Sequence, residues 1–540
     1  MTSPAAPSAA PGRLRDEAAR RRLSRRRAAE RRFKAYGIAA IGVAIGFLIL
    51  FIFSIGSQAV AAFSQHKVRF DLVLAPEIVS PNGPGDRHAI AENVSGFYRL
   101  VREDLAARFP EAAEAGNLRE LNDLVTRLAV LPMAREVAEN PAQIGQTARL
   151  TAALSDDLDL FLKGAIAPEV RARLAEPAQV ERLPAAPTTG ALFTLTGPGA
   201  ARPPELTRVL EAAAARTGEA GGFSVFIQSG GAIARLIEPG GETPAEPAIF
   251  ERLTGDLGAL AGARPHLRAV LLPETARNVT DRQIAWALAL QDDGRITRRL
   301  NWGLLSNADS TYPEIAGVLA ALVGSLLTMA ITASLAIPVG ICAAIYLEEF
   351  APKNRMTDVI EVNINNLAAV PSIVFGLLGA ALFLNVLALP RSAPLVGGMV
   401  LGLLTLPTVI IASRAALRSV PPSIRSAALG IGASKTQTVM HHVLPLAAPG
   451  IMTGAIIGMA RALGETAPLL LIGMVAFVAE VPSGPTDEAT ALPVLIFKWS
   501  TGAERAWEPN TAAAIVVLLT FMVVMNAVAV FLRRRFERRW

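Results

Sequence analysis

The sequence predicts an all-α polytopic membrane protein of six spanning helices, with an α+β domain inserted between the first and second. Three observations predict this class. First, 52% of the 540 residues are hydrophobic, and the mean hydropathy of +0.39 is high for a soluble chain of this length. Second, the apolar residues gather in long segments while the basic residues flank them. Third, residues 64–310 form a polar block too long for a loop.

The spans follow from the length of the apolar segments. A membrane helix needs roughly 20 mostly apolar residues, because lipid offers its backbone no other hydrogen-bond partner. Six segments satisfy this, namely 36–63, 315–346, 359–387, 395–415, 446–477 and 511–532. The first could be a signal peptide, since Ala59, Val60 and Ala61 resemble a cleavage site, but a signal core has only about 7–15 residues. We interpret 36–63 as an uncleaved anchor and 1–35 as a basic tail.

Basic residues predict the orientation, because Lys and Arg concentrate on the cytoplasmic side of a membrane. Arginines crowd both ends of the chain, so both termini are expected in the cytoplasm. The loops expected on the same side are also basic, with Lys353, Arg355, Arg414, Arg418, Arg425 and Lys435. The last outer loop is acidic, with Glu480, Asp487, Glu488, Glu504 and Glu508. The arginines flank apolar spans, so the net charge of +6 indicates a membrane protein, and no nucleic-acid partner is expected.

Residues 64–310 then lie outside the cytoplasm and are expected to fold separately. Apolar residues recur at three- and four-residue steps over 94–105 and 147–158, which predicts helices. A Pro- and Ala-rich stretch at 183–204 interrupts that pattern, and 223–227 and 232–236 have the composition of strands. The single cysteine, Cys342, excludes an intramolecular disulfide. His66, His88 and His266 have no carboxylate or cysteine at ligand spacing, so no metal site is predicted.

The loop after the fourth span, 425–445, carries the most informative motif. Small residues there would let a helix pack closely, and Gly432 permits a turn that other residues resist. Pro445 is expected to end that element before the next span. The loop resembles the EAA loop of ABC-importer permeases, with five positions in register: Ala427, Ala428, Gly432, Leu444 and Pro445. Ser426 and His442 depart from the family pattern, which has glutamate and isoleucine there.

Three further segments are similar to phosphate-transport permeases of the PstA type. They are PSIVFGLLG at 371–379, RALGETAPLL at 461–470 and NWGLLSNADS at 301–310. The last is similar to the subset of that family with an enlarged outer domain. The resemblance implies a type I, MetI-like permease at 311–540, which holds five of the six spanning helices of the chain and forms the core common to this class. It also implies a bacterial inner-membrane protein that imports phosphate or another oxyanion such as phosphonate, sulfate or molybdate.

The resemblance further implies partners. These are a second homologous permease, a dimer of ATPase subunits, an extracytoplasmic solute-binding protein and the surrounding lipid. The EAA loop would dock on the ATPase and transmit its closure. No Gly-Lys pair occurs anywhere in the chain, so the phosphate-binding loop Gly-x4-Gly-Lys-Ser/Thr is absent. The chain itself is therefore not expected to be an enzyme or to bind a cofactor.

Four residues are predicted on the substrate pathway. Arg461 and Glu465 fall near the middle of the fifth predicted span, four residues apart and on one helical face. Ionisable groups inside a membrane are costly and usually face a bundle interior or a cavity. Arg461 would offer the oxyanion a guanidinium fork tempered by Glu465, or the two would form an ion pair that only fixes packing. Pro371 and Ser372 are expected to interrupt a helix and free backbone groups toward the path, or to serve packing only.

Two other classes fit the sequence less well. A membrane-anchored sensor would need a cytoplasmic output module, yet only about eight residues follow the last span. A proton- or sodium-coupled carrier would be expected to place acids in the interior of several spans, and apart from Glu361 at the very start of the third span only Glu465 is found. Copurification with an ATPase would separate these classes from the permease.

Overall fold

The computed structural model describes residues 13–83, 85–183, 191–196, 202–218, 222–241, 246–475 and 477–536. The chain divides into two units, 1–58 and 59–540. The first unit contains most of helix α1 (Arg13–Ala62), which starts in the arginine-rich segment and continues through the first apolar segment. Its large apolar side chains are exposed along that segment, for example Phe47 at 72%, as expected of a helix surrounded by lipid.

Residues 64–300 contain both antiparallel sheets found in the described chain. The strands are β1 (Ser64–Val73), β2 (Thr147–Ala153), β3 (Glu169–Arg173), β4 (Gln179–Arg182), β5 (Leu192–Thr196), β6 (Ser224–Ser229), β7 (Ala232–Glu238), β8 (Ala248–Thr254), β9 (His266–Val270) and β10 (Ile296–Leu300). One sheet has the order β10-β1-β2, and the other has the order β3-β9-β6-β7-β8-β5-β4. Ser64 pairs with Leu300, so the strand that leaves the first span lies beside the strand that leads to the second.

Helices cover both sheets and complete an α+β domain. They are α2 (Pro76–Val79), α3 (Arg87–Ala91), α4 (Val94–Arg108), α5 (Pro110–Glu114), α6 (Leu118–Asn122), α7 (Leu131–Glu139), α8 (Asp156–Leu162), α9 (Pro204–Thr217), α10 (Asp281–Asp292) and α11 (Gly303–Ser306). One core gathers Phe70, Phe97 and Trp286 beside the smaller sheet. The other packs α9 on the larger sheet, where Phe193 and Phe250 stack at 5.7 Å.

The helix predicted over 147–158 is wrong in its first half. Residues 147–153 form β2, which pairs with β1, and helix α8 begins only at Asp156. Ala148, Leu150 and Ala152 are buried while Thr147 and Arg149 are exposed, which is the two-residue alternation of a strand. The helix over 94–105 and the strands over 223–227 and 232–236 are confirmed. The stretch 183–204 lies largely outside the described residues, although it includes β5.

The rest of the chain is helical. Its helices are α12 (Leu319–Ile345), α13 (Arg355–Ala368), α14 (Ser372–Gly379), α15 (Pro394–Ser419), α16 (Pro422–Gly430), α17 (Lys435–Thr438), α18 (Leu444–Gly464), α19 (Ala467–Leu471), α20 (Leu492–Ser500) and α21 (Trp507–Phe536). Three π-helical turns join or extend them, at Tyr346–Phe350, Ala380–Val386 and Val439–Val443. Five helices of the described chain are long and apolar enough to cross a membrane, or six if the bent pair α13–α14 counts as one span.

Two predicted spans are not continuous helices. The third, 359–387, breaks between α13 and α14, which meet at 102°. Pro371 lacks the N–H that a continuing helix needs and disfavours helical backbone at Val370. The fifth, 446–477, ends its helix at Gly464, and the short α19 begins with Pro468 in its first turn.

Helix α15 lies at the centre of the bundle and is held by close contacts at small residues. A Cβ atom on Gly398 would lie 2.5 Å from Cβ of Ile331, so the backbone of α15 at Gly398 contacts the side chain of Ile331 in α12. Gly454 of α18 likewise leaves no room for a Cβ beside Ala412 of α15. Small residues allow this approach, which membrane helices use in place of a hydrophobic driving force. The bundle thereby places both helix breaks against α15 and its neighbours.

Candidate functional site

The two broken helices of the bundle pack against each other. A Cβ on Gly376 of α14 would lie 2.8 Å from Cα of Pro468 in α19. Pro371 is the N-cap of α14 and contributes no side-chain cap, so the first backbone N–H groups of this helix have no intrahelical partner. Ser372 is half-buried at that first turn. The predicted interruption at Pro371 and Ser372 is thus present, and it lies on a helix that contacts the second break.

Arg461 and Glu465 form an ion pair at the end of α18. The Nε of Arg461 lies 3.6 Å from Oε1 of Glu465, and their side chains are 52% and 21% exposed. The two side chains pair, but they do not share a helical face near the middle of a span as predicted, because the helix ends at Gly464 and Glu465 has extended backbone. Glu465 is its C-cap. A cation in the last turn of a helix interacts favourably with the carbonyl end of the helix dipole.

The segment predicted to couple to an ATPase is a helical hairpin, formed by α16, the turn at 431–434 and α17. We call residues 422–438 the coupling hairpin. Gly432 has φ +91°, the left-handed conformation that glycine adopts without strain. Ala428 is buried and Ala427 is exposed. Ser434 accepts a hydrogen bond from the N–H of Gln437 at 3.2 Å while Gln437 accepts one in return at 2.9 Å, a capping box that the spacing Ser-x-x-Gln could have revealed.

Pro445 does not end the element as predicted. The chain stays helical from Lys435 to Gly464, with the π-helical turn Val439–Val443 just before Leu444 and Pro445. Pro445 falls in the first turn of α18, where its missing N–H is tolerated. Helices that carry such a one-turn bulge often do so at functional sites. The hairpin is therefore joined to the following span without a flexible link.

Three large apolar side chains on and beside the coupling hairpin face away from the rest of the chain. Leu429, Ile431 and Met440 are 51%, 83% and 51% exposed. Ile431 lies in the turn next to Gly432, at the tip of the hairpin. Large exposed apolar side chains at the tip of a hairpin are candidates for contact with another protein.

A buried polar cluster lies where the α+β domain meets the bundle. Asp159 of α8 accepts a hydrogen bond from the backbone N–H of His66 at 2.8 Å, and its Oδ1 lies at the same distance from the His66 ring nitrogen Nδ1. Lys163 reaches Asp159 at 2.5 Å and the carbonyl oxygen of Ala61 at 2.7 Å. Ala61, Asp159 and Lys163 line a cavity of about 30 Å³, which is large enough to hold water. His66 therefore has a carboxylate neighbour, which chain spacing could not show across 93 residues.

Glu314 and Asp156 line the same cavity, and burial shifts the pKa values of these two carboxyls and of Lys163. Desolvation raises the pKa of Glu314 to about 7, although Thr126 donates a hydrogen bond to it. Desolvation and the neighbouring Asp157 raise the pKa of Asp156 to about 6. Burial lowers the pKa of Lys163, while Asp159 opposes that shift. Within the described ranges, no three His, Cys, Asp or Glu side chains are placed to hold a metal ion.

Comparison with known proteins identifies the class of the chain. The family model for the binding-protein-dependent transport system inner membrane component matches residues 336–540. A second model, a domain of unknown function (DUF3333), matches residues 20–172. An inward-facing MetNI methionine ABC transporter is a solved structure with TM-score 0.31 and 18% identity, covering 40% of this chain and 95% of that one. Residues 336–540 therefore match the membrane component of binding-protein-dependent transport systems.

Similar sequences define the family more narrowly. Phosphate transport system permease protein PstA 1 of Mycobacterium tuberculosis (strain CDC 1551 / Oshkosh) is 36% identical over 223 residues, which are 41% of this chain and 72% of that protein. The PstA of Mycobacterium leprae is 33% identical over 246 residues, 44% of this chain and 78% of that protein. The probable ABC transporter permease YqgI of Bacillus subtilis is 33% identical, over 32% of this chain and 58% of that protein. The chain belongs to the PstA family of phosphate transport system permeases.

Proposed function

We propose that the chain is the permease subunit of an ATP-driven phosphate importer in a bacterial inner membrane. The observation that carries the proposal is the coupling hairpin: it follows a spanning helix, exposes apolar side chains at its tip and continues into the next span without a break. The PstA relatives, named for phosphate transport, support phosphate as the cargo. Phosphonate, sulfate and molybdate are the competing cargoes.

The importer requires partners that this chain does not supply. Leu429, Ile431 and Met440 offer an apolar surface for a separate ATPase, of which two copies would serve a pair of permeases. The second permease is a homologue of this chain, and a soluble binding protein delivers phosphate from outside. Both termini are placed in the cytoplasm by this proposal, because arginines crowd both ends of the chain and basic segments are retained on that side of a membrane.

Transport proceeds by alternating access. Closure of the ATPase dimer moves the coupling hairpin, and α18 moves with it because no flexible link separates the two. The broken helices α14 and α19 lie at the far end of α18, where a rearrangement opens the path. Arg461 offers its half-exposed guanidinium to the oxyanion, and Glu465 keeps the anion from being held too tightly. Uncapped N–H groups at Ser372 are a second source of hydrogen bonds for an anion.

The test is uptake of labelled phosphate into vesicles that hold the whole complex with its binding protein. We expect accumulation that needs ATP and that unlabelled phosphate suppresses more strongly than sulfate, molybdate or phosphonate. Stronger suppression by one of those anions would replace phosphate as the cargo while leaving the permease role intact. Uptake that continues without any nucleotide-binding subunit would overturn the importer itself.

A further inference from the structure

Six charged side chains form five ion pairs at the end of the bundle that carries the coupling hairpin. They are Glu348, Glu349, Glu361, Arg414, Arg418 and Arg425. Most of the pairs join α15 to α13 and to the π-helical turn after α12. One pair differs, because it alone among them reaches α16 of the coupling hairpin. That pair is Arg425 with Glu349.

The guanidinium of Arg425 holds three elements together. Its Nη2 donates to Oε1 of Glu349 at 2.6 Å, and its Nε donates to the same carboxylate at 3.1 Å. Nη1 donates to the carbonyl oxygen of Val420 at 2.7 Å, and Nη2 to that of Leu417 at 2.9 Å. Leu417 lies in the last turn of α15 and Val420 is its C-cap, so Arg425 donates to two carbonyl groups at the end of this helix, of which that of Leu417 also accepts from the N–H of Val420.

The pair is largely shielded from water, and few other contacts hold α16 against the bundle. The Glu349 side chain is 9% exposed and that of Arg425 is 23% exposed. In α16 itself, Ala428 is the one buried residue, so apolar packing of this helix against the bundle is slight. A bidentate contact between guanidinium and carboxylate fixes orientation as well as distance, which a single ammonium group cannot do. Removing either partner would leave a largely buried charge without its counter-ion.

We propose that Arg425 is the positioning residue that makes the coupling hairpin, the end of α12 and the end of α15 move as one body. Motion of the hairpin then reaches the end of α12 through Arg425, in addition to the covalent connections of the hairpin to α15 before it and to α18 after it. This inference rests on the coupling role proposed above. Ser426, which stands where the family pattern has glutamate, makes its side-chain hydrogen bond within α16 to the carbonyl oxygen of Pro422, so it does not provide this link.

The experiment measures phosphate taken up per ATP hydrolysed by the whole complex in vesicles. For Arg425→Gln we expect ATP hydrolysis to continue while this ratio falls about tenfold, a loss within the usual range of coupling between sites. Arg425→Lys keeps the charge but not the fork, and we expect an intermediate ratio. Arg418→Gln is the matched control, because Arg418 pairs with Glu348 and Glu361 without contacting α16. We expect it to keep the wild-type ratio.

A cross-link provides a second, independent measurement. The double variant Glu349→Cys with Arg425→Cys, made with Cys342→Ser so that no other thiol remains, is expected to be uncoupled like Arg425→Gln. A short bis-maleimide that joins the two cysteines would restore the fixed distance, and we expect it to restore most of the ratio. A cross-linked complex that stays uncoupled would overturn the proposal, as would a wild-type ratio in assembled Arg425→Gln. If wild-type vesicles show no ATP-dependent phosphate uptake, the proposed function fails instead.

Discussion

At the scale of single residues, Arg461 is the cation placed where α18 ends and the path would open. A hydrogen bond to a charged group contributes about 1.5–3 kcal/mol. Arg461→Gln should therefore slow phosphate uptake about tenfold or more while the complex still assembles, as vesicle uptake and copurification would measure. Arg391→Gln, which removes an exposed arginine from the short loop before α15, serves as the control. Normal uptake by Arg461→Gln would restrict the pair with Glu465 to packing.

The raised pKa of Glu314 predicts that the free energy of unfolding depends on pH. Its buried carboxyl keeps its proton up to about pH 7, whereas in the unfolded chain the pKa is 4.5. Between these values the unfolded state binds fewer protons than the folded state, so stability falls as pH rises from 4.5 to 7 and is level above. A shift of this size corresponds to roughly 3 kcal/mol at most.

The measurement is hydrogen exchange of β1 and α8, which contact Glu314 and its cavity. Protection of these elements should decrease between pH 5 and 7 after correction for the intrinsic exchange rate. Glu314→Gln should flatten most of that slope, leaving the smaller contribution of Asp156, whose pKa is raised to about 6. Glu77→Gln alters an exposed carboxyl of α2 and should leave the slope unchanged. An unaltered slope in Glu314→Gln would assign the pH dependence to other groups.

At the scale of elements, the contact of α12 with α15 depends on Gly398. Any side chain there would meet Ile331 at 2.5 Å and the backbone oxygen of Thr328 at 2.9 Å, and backbone cannot move aside cheaply. Overpacking a close contact typically costs about 1–3 kcal/mol. We expect Gly398→Val to lower the melting temperature of the detergent-solubilised protein and its yield as a monodisperse species. Gly464→Ala meets no atom within 4 Å and should melt like the wild type; equal melting of both variants would contradict this packing.

The same elements show how far the sequence could predict the structure. The break at Pro371 was predictable because proline's missing N–H is a local property. The strand β2 was not, because the spacing of its apolar residues fits a helix and a strand alike, and its long-range pairing with β1 decides between them. The capping box at Ser434 was visible in the spacing. Arg425 was not visible as a link, because Glu349 lies 76 residues away and only the fold brings the two together.

At the scale of the whole molecule, the pairing of β1 with β10 explains how so large a domain can be inserted between two spans. Ser64 and Leu300 face each other, and Asn301 donates from its side chain to the carbonyl oxygen of Ala62 at 3.1 Å. The chain therefore leaves the first span and returns toward the second at neighbouring positions. The insertion therefore begins and ends at paired strands, before the helical part of the chain starts at Leu319.

The sidedness of the molecule is the prediction on which the importer depends. The coupling hairpin and the α+β domain should lie on opposite sides of the membrane, because the basic hairpin is retained in the cytoplasm and one span precedes the domain. In a Cys342→Ser background, Lys435→Cys should react with a membrane-impermeant maleimide only after the cells are opened. Leu118→Cys, exposed on α6 of the domain, should react in spheroplasts that remain sealed. Labelling of position 435 from outside would exclude any contact with a cytoplasmic ATPase, because an ATPase on one side of the bilayer cannot contact a hairpin on the other side.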